Sequence, residues 1–522
     1  MLVVLGGLAA RAGAGEQAPS PDALAVPPEI RQALDRITAD SLKGHLSFIA
    51  SDALEGRDTP SKGLDLAAEY IAAQFRRAGL EPAGTEGYFQ VANWFLSQPD
   101  PAQFHLNLTI GETPFAVTSR QVTASIVSAI DLKNAALVKV DSSDLESLGK
   151  LPAETVAGKV VLTEIADPRA VPGNQRFGAF SLYRRVLDLL SKPKPALIVM
   201  IDGNTKAAGG LGPSRLIDPE QQQRRGAAAP LTFASAVPVV RVHDPAVLAA
   251  FKARPMGDLP GALSLAAGAP KESPVQLKNV AGLLKGSDPE LSQTCVIVSA
   301  HYDHIGVQPG ASPDSIYNGA NDDGSGTVSV IELAGALATL NPRPKRSILF
   351  LTFFGEEKGL LGSRYYGRHP LIPLEQTTAM VNLEQVGRTD STEGPQIKTA
   401  SMTGFDFSEV GPILAAAGER VGVTIFKHPR NSDAFFGRSD NQALADLGVP
   451  AHTICVAYVY DDYHGPLDHW EKIDYANMAK VDQAFALGLL SIANNPRPPQ
   501  WNKDNPKAER YRKALEARQQ KK

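Results

Sequence analysis

The 522-residue sequence predicts an α/β fold: a mostly parallel mixed sheet sandwiched by helices, with a β-rich domain inserted into it. Three observations predict this. From Asn279 onward, short continuous apolar runs alternate with helical patterns, and strands apolar on both sides belong to a parallel sheet covered on both faces. Between about 117 and 270 the character changes to short β runs broken by Pro and Gly. At about 150 residues per domain, the chain has room for roughly three domains, or for one large α/β domain carrying an insertion.

The elements follow in order. Residues 2–10 form an apolar run, followed by small residues through Gly15 and a polar, Pro-containing stretch. That is an h-region with a plausible cleavage site, although no basic residues precede it, so residues 1–28 are expected to be a signal peptide and linker. Residues 29–116 are expected to be the N-terminal part of the main domain; within them 30–90 alternate helical patterns with turns, and 64–79 reads as an amphipathic helix (Leu66, Tyr70, Ile71, Phe75) stopped by Gly79. The insert, 117–270, carries β runs at 159–162, 196–200 and 237–240, and no catalytic cluster. In the main domain, 271–495, strands are expected at 294–300, 347–354, 378–384 and 451–460, with helices at 326–340 and near 359–367. The last stretch, 496–522, is Pro-rich and then charged, and reads as a solvated tail or helix.

Composition narrows the function. Lys+Arg 52 against Asp+Glu 56 leaves a net charge of -4, which supplies no field for tracking a polyanion, so nucleic acid is not an expected partner. Hydrophobic content of 43% with 45 Gly and 39 Pro suits a loop-rich enzyme and excludes wholesale disorder. After the N-terminus no segment has about 18 uninterrupted apolar residues, so no stable membrane span is expected. Cys295 and Cys455 each sit in an apolar, β-branched stretch, and read as buried thiols rather than a bridge. The compartment expected is periplasmic or secreted.

In an open α/β sheet, ligands bind beyond the carboxyl ends of the strands, so the residues following each strand carry the chemistry. His301-Tyr302-Asp303 follows the first strand, and Asn321-Asp322-Asp323-Gly324-Ser325-Gly326 opens the next helix. Glu356-Glu357 follows Phe354, Glu384 ends the next strand, and Tyr463-His464 lies just past the last. Two histidines and several carboxylates thus converge on one rim. Nitrogen and oxygen ligands without thiolate suit zinc or a related divalent ion, and the excess of carboxylate favours two ions sharing a bridge. His304, His428, His452 and His469 have no ligand partner by spacing, His304 reads as a polar loop contact, and Asp468 reads as a buttress of the loop after His464.

The segment Val298-Ser299-Ala300-His301-Tyr302-Asp303-His304, the Asn321–Gly326 stretch, the Phe354–Ser363 stretch and Tyr463-His464 together resemble the zinc aminopeptidase and glutamate carboxypeptidase family. Residues 40–115, with Leu54-Glu55-Gly56-Arg57 and Glu81-Pro82-Ala83-Gly84, resemble the family's N-terminal part, and 117–270 looks like its protease-associated insert. The resemblance implies a zinc-exopeptidase-like fold and two zinc ions. It makes His301 and Glu384 ligands of one zinc, Glu357 and His464 ligands of the other, and Asp322 the bridge. Glu356 would be the general base, and Asp303 the acceptor that orients the His301 ring. Three positions depart from the family. Glu384 stands where Asp is commoner, Asn441 where His often stands, and Phe436 where some aminopeptidases place an oxyanion-stabilising Tyr. Tyr463 resembles the Tyr of carboxypeptidase members, and its phenol could take that role.

The expected activity is that of an exported zinc metallopeptidase removing N-terminal residues from peptide substrates. An acidic-dipeptide carboxypeptidase, with Arg430 and Arg438 as candidate seats for a carboxylate, a glutaminyl cyclase using one zinc, and a catalytically inactive binding protein are the alternatives.

Overall fold

The computed structural model describes residues 25–520 apart from 125, 127, 167, 169–170, 172, 206–209, 212–213, 226–236 and 309–313. The expected signal segment up to residue 24 lies outside the described residues. Nine strands make the path of the main sheet: β1 (Phe89–Gln98), β2 (Arg215–Ile217), β3 (Lys271–Leu284), β4 (Cys295–His301), β5 (Ser347–Phe353), β6 (Thr377–Leu383), β7 (Thr399–Met402), β8 (Thr424–Phe426) and β9 (Ala451–Cys455). Their order is β8-β7-β9-β6-β4-β5-β3-β1-β2. The central four, β9, β6, β4 and β5, run parallel, while β3 pairs antiparallel to β5 and β7 antiparallel to β9.

Every residue of β4, β5 and β6 is buried, as their continuous apolar character requires. Helices α1 (Ala39–Ile49), α2 (Lys62–Arg77), α3 (Gly326–Leu337) and α6 (Tyr475–Asn494) pack on one face, where Leu46, Phe75, Val330 and Phe485 meet Val296, Val298 and Phe350. On the other face α4 (Leu361–Arg368) and α7 (Glu509–Gln519) contribute Tyr366 and Tyr511 to a cluster with Ile297, Leu349 and Leu351. Helix α5 (Val410–Glu419) adds Leu414 to the first cluster. The chain leaves β4 to form β5 on one side and then β6 on the other. The reversal opens a crevice at the carboxyl end of β4.

Two expected boundaries shift for identifiable reasons. The strand expected over 451–460 ends at Cys455, because the amides of Val456 and Ala457 both turn to the carbonyl of Gln385 (3.2 and 3.4 Å). The charged C-terminal stretch is anchored: Trp501 is buried, donates to the carbonyl of Gly448 (3.0 Å) and stacks on Tyr511 with ring centroids 5.1 Å apart. Both cysteines are buried free thiols.

A second, eight-stranded sheet gathers strands from His105–Ile110 to Gly257–Ala267, so its first strands precede the expected insert boundary at 117. Four of its strands, Ile130–Lys139, Val160–Glu164, Leu197–Asp202 and Val239–His243, are parallel neighbours, and the helices Gly173–Ser191 and Pro245–Lys252 lie between and after them in sequence. Midway along this stretch β2 pairs with β1 at the edge of the main sheet, and its neighbour Asp218 binds Arg368 at 2.6 Å, while Glu220 meets His369 at 2.9 Å.

Candidate metal centre

The parallel registers bring the site together. His301 ends β4 opposite Phe353, the last residue of β5, and Ser299 pairs with Asn382, which puts Glu384 level with His301 just beyond β6. The Asn321–Ser325 turn then enters the crevice ahead of α3. Gly319 (φ 58°) is required there, since a Cβ would lie 2.4 Å from both the Asp322 carbonyl and the His304 ring.

Asp322 is the hub. One carboxylate oxygen lies 3.4 Å from His301 Nε2 and the other 3.0 Å from His464 Nε2. His464 Nε2 is also 3.2 Å from Glu357 Oε2, and His304 Nδ1 is 2.9 Å from Glu357 Oε1. Two trios of ligand atoms result, His301–Asp322–Glu384 and His304–Asp322–Glu357, each with all atoms within 4.8 Å of one another. Glu384 therefore reaches the first trio despite its extra methylene. His304, read from spacing as a loop contact, stands inside the second trio, with its ring 5.7 Å from that of His464.

The remaining sequence-selected residues surround these trios. Glu356 Oε2 is 4.0 Å from His301 Nε2, and the Glu356 backbone N–H donates to Asp303 Oδ1 (3.1 Å). Asp303 faces His301 Nδ1 twice, through its carbonyl at 3.2 Å and its carboxylate at 3.5 Å. Tyr463 stacks on the His464 ring with centroids 4.1 Å apart. Burial, together with the carboxylates of Asp322 and Glu357, pushes its phenol well above the usual range, so it keeps its proton. Phe436 is buried against Phe407 and His452.

Apart from Asp468, read as a buttress of the loop after His464, sequence reasoning missed the residues that hold this constellation. Asp323 ties three segments at once, accepting from the amides of His301 (3.2 Å), Gly326 (3.3 Å) and Gln385 (3.1 Å). Asp468 buttresses the Asp322 turn as well as its own loop, accepting from the amides of Asn321 and Asp322 and from the Tyr460 hydroxyl. Arg57, fully buried, donates to the carbonyls of Tyr302, Ile49, Asn318 and Gly319 at 2.6–3.0 Å. The signal available was the charged residue within Leu54-Glu55-Gly56-Arg57, whose burial no spacing reveals.

The electrostatics suit a cation. Burial pushes Glu356 well above the usual carboxylate range, and lifts Glu384 and the fully buried Asp440 to about 7. Burial opposes ionisation of Glu357 too, but His464 overcomes it and holds that carboxyl at about 2. His301 is likewise raised well above its usual value, burial being outweighed by Asp323, Asp303 and Asp322. Glu384 Oε2 is buried without a hydrogen bond among the described residues, and His301 Nε2 and Glu357 Oε1 face other members of the trios. Buried polar atoms left so are costly, and imidazole nitrogens with carboxylate oxygens and no thiolate suit zinc. The residues present fit two ions sharing Asp322.

Residues 279–488 match the model of peptidase family M28. This segment belongs to that family. The chain is 35% identical over 248 residues to a probable zinc metalloprotease of Pyrenophora teres f. teres, covering 43% of this chain and 50% of that protein. It is similar to an aminopeptidase of Bacillus subtilis, 26% identical over 223 residues (41% of this chain, 44% of that protein), and to a vacuolar membrane protease of Verticillium alfalfae, 40% identical over 92 residues (18% and 8%). The chain spans no more than half the length of these curated relatives. The fold is that of the aminopeptidase from Aneurinibacillus sp. strain AM-1 (TM-score 0.57, 19% identity, covering 91% of this chain and 98% of that one) and of a zinc aminopeptidase from Bacillus subtilis (TM-score 0.54, 18% identity, 87% and 94%). The M28 segment contains every residue of both trios.

Proposed function

We propose that the protein is an exported, periplasmic or secreted, zinc-dependent aminopeptidase that removes N-terminal residues from peptides with two zinc ions. The observation that carries this reading is the pair of ligand trios sharing Asp322, with Glu356 beside them. His301, Asp322 and Glu384 would hold one ion, and Asp322, Glu357 and His464 the other, with His304 against Glu357. When bound, the ions supply Lewis acidity that polarises the scissile carbonyl and brings the pKa of a water toward neutrality.

The chain's own residues do the rest. Glu356 takes the proton of the attacking water at its carboxylate and delivers it to the leaving amine as the C–N bond breaks. Asp303 fixes both the base, through its amide, and the His301 ring. The Tyr463 phenol donates to the oxygen on which charge develops. Arg430, one of two arginines that could seat a substrate carboxylate, is already paired with Glu393, which favours an aminopeptidase over an acidic-dipeptide carboxypeptidase.

The test is the metal content of purified protein, with hydrolysis of free and N-blocked peptides measured with and without chelator. Two zinc ions per chain, chelator-sensitive cleavage of free N-termini only, and loss of turnover with zinc retained in Glu356→Gln are expected. Zinc-loaded protein that cleaves no free N-terminus, or a fully active Glu356→Gln, would refute the proposal.

A further inference from the structure

Asn279 stands out in β3 as an amide with no exposed surface, in a strand stretch whose next three residues, Val280, Ala281 and Gly282, run through the buried layer. A buried amide is tolerated only when its hydrogen bonds are made. Here they are made to the loop that carries Glu356 and Glu357. Its Oδ1 accepts from the amide of Phe354 (3.3 Å), where the chain leaves β5, and its Nδ2 donates to the carbonyl of Gly362 (2.9 Å), where the chain enters α4. Nδ2 also donates to Oε1 of the buried Gln90, whose own amide nitrogen reaches the His369 carbonyl just past the end of α4 (2.5 Å).

Antiparallel register explains the placement. Val280 pairs with Thr352, so Asn279 lies level with the last residue of β5. The loop is narrow there: Gly362 N donates to the Phe354 carbonyl (2.8 Å), and a Cβ on Gly362 would lie 2.4 Å from Asn279 Oδ1. Within the loop the amides of Gly359 and Leu360 both return to the Glu356 carbonyl at 2.9 Å. The turn is therefore a rigid unit whose only attachment to β3 through a side chain, among the contacts described, is this amide.

We infer that Asn279 is a positioning residue for Glu356 and Glu357, clamping both ends of their loop to β3 so that the base and the ligand keep a fixed separation. It touches neither substrate nor metal, and the inference rests on the aminopeptidase reading only for its kinetic consequence.

The experiment uses the full chain and two variants. Asn279→Ala removes every bond, while Asn279→Asp keeps the acceptor for Phe354 N–H but cannot donate to Gly362 or Gln90. In Asn279→Ala, kcat is expected to fall about tenfold or more with KM within about twofold, since small displacements of catalytic groups are costly. Zinc should also be lost to a chromophoric chelator faster, and the Phe354 amide should exchange faster with deuterium. Asn279→Asp is expected to fall between wild type and Ala, and serves alone if the Ala variant does not fold. Folded variants with wild-type kcat, zinc-release rate and Phe354 protection would overturn the inference. If the wild type cleaves no peptide the aminopeptidase reading fails, while zinc release and deuterium exchange still decide the role of Asn279.

Discussion

Replacing Arg57 by Met should destabilise the metal-free protein far more than the zinc-loaded one. The guanidinium makes four hydrogen bonds to main-chain carbonyls, on Ile49, Tyr302, Asn318 and Gly319, and all four of these residues are buried. Hydrogen bonds to a charged group are worth about 1.5–3 kcal/mol each, but four on one side chain do not add, and breaking a buried charged contact costs about 3–5 kcal/mol in all. The same cation lies beside Asp303, Asp468, Asp323 and Asp322, and although burial lowers its pKa to about 10 it stays charged at neutral pH. With zinc bound, those carboxylates have another cation and lose less when Arg57 is removed. Urea denaturation of wild type and Arg57→Met, each with excess chelator and with saturating zinc, isolates the effect. The expected loss is about 3–5 kcal/mol without metal and smaller by at least about 1 kcal/mol with it. Arg57→Lys, which keeps the charge but not the planar fork, should fall between. Equal losses in the two states would refute the coupling between Arg57 and the metal centre.

Three further outcomes are expected. Asp322→Asn should bind less than about one zinc per chain and lose more than about a hundredfold in turnover, beyond what loss of an outer contact produces, as atomic absorption and peptide hydrolysis would report. In chelated protein, stability should rise as pH falls from 10 toward 5, measured by thermal melting across buffers. His464, raised to about 10, binds its proton more tightly folded than unfolded, so its contribution is complete below about 6.5 and lost as pH rises through 10. Glu384 and Asp440, raised to about 7, act in the same sense between their unfolded values and 7, opposed by His452, lowered to about 4 by burial, toward the acid end and by Arg57, lowered to about 10, toward the basic end. Saturating zinc, which competes with those protons, should remove or reverse this slope. Trp501→Ala should cost about 3–5 kcal/mol in urea denaturation, showing that the charged C-terminal stretch is part of the main domain's core and not a solvated tail.

How much of this was legible in the sequence depends on what each residue contacts. The strand ends are readable because β4, β5 and β6 are apolar on both faces and stop where polar residues begin, so the sequence alone puts His301, Glu356-Glu357 and Glu384 on one rim. The amphipathic helix at Lys62–Arg77 and the helix after Gly326 were readable from periodicity for the same reason. His304 was not, because strand-end geometry does not say where a ring three residues past His301 will turn. Here Arg57 takes the Tyr302 carbonyl, while the His304 amide turns to the Arg57 carbonyl at 3.3 Å, and that bend aims the ring at Glu357. Residues 105–116 read as part of the main domain because 40–115 resemble the family's N-terminal part, and only pairing with Gly257–Ala267, far along the chain, places them in the second sheet.

The ligand-bearing turns come from four different strand ends, and none could hold its place unaided, because each exposes main-chain amides and carbonyls to a buried, acid-rich crevice. The structure answers with side chains that bond to main chain rather than to one another. Asp323 joins the end of β4 to the start of α3 and the end of β6, Asp468 holds the amides ahead of Asp322, Arg57 holds the carbonyls beneath it, and Asn279 closes the Glu356 loop. Such bonds fix the backbone without using the carboxylates and imidazoles of Asp322, Glu357, Glu384 and His464, which stay directed inward. A site built this way keeps its carboxylates and imidazoles close enough to hold protons in place of a cation until one arrives, so binding free energy and geometry are set by the same residues. That is why the supporting polar residues, and not the ligands, are where substitutions should separate metal affinity from turnover.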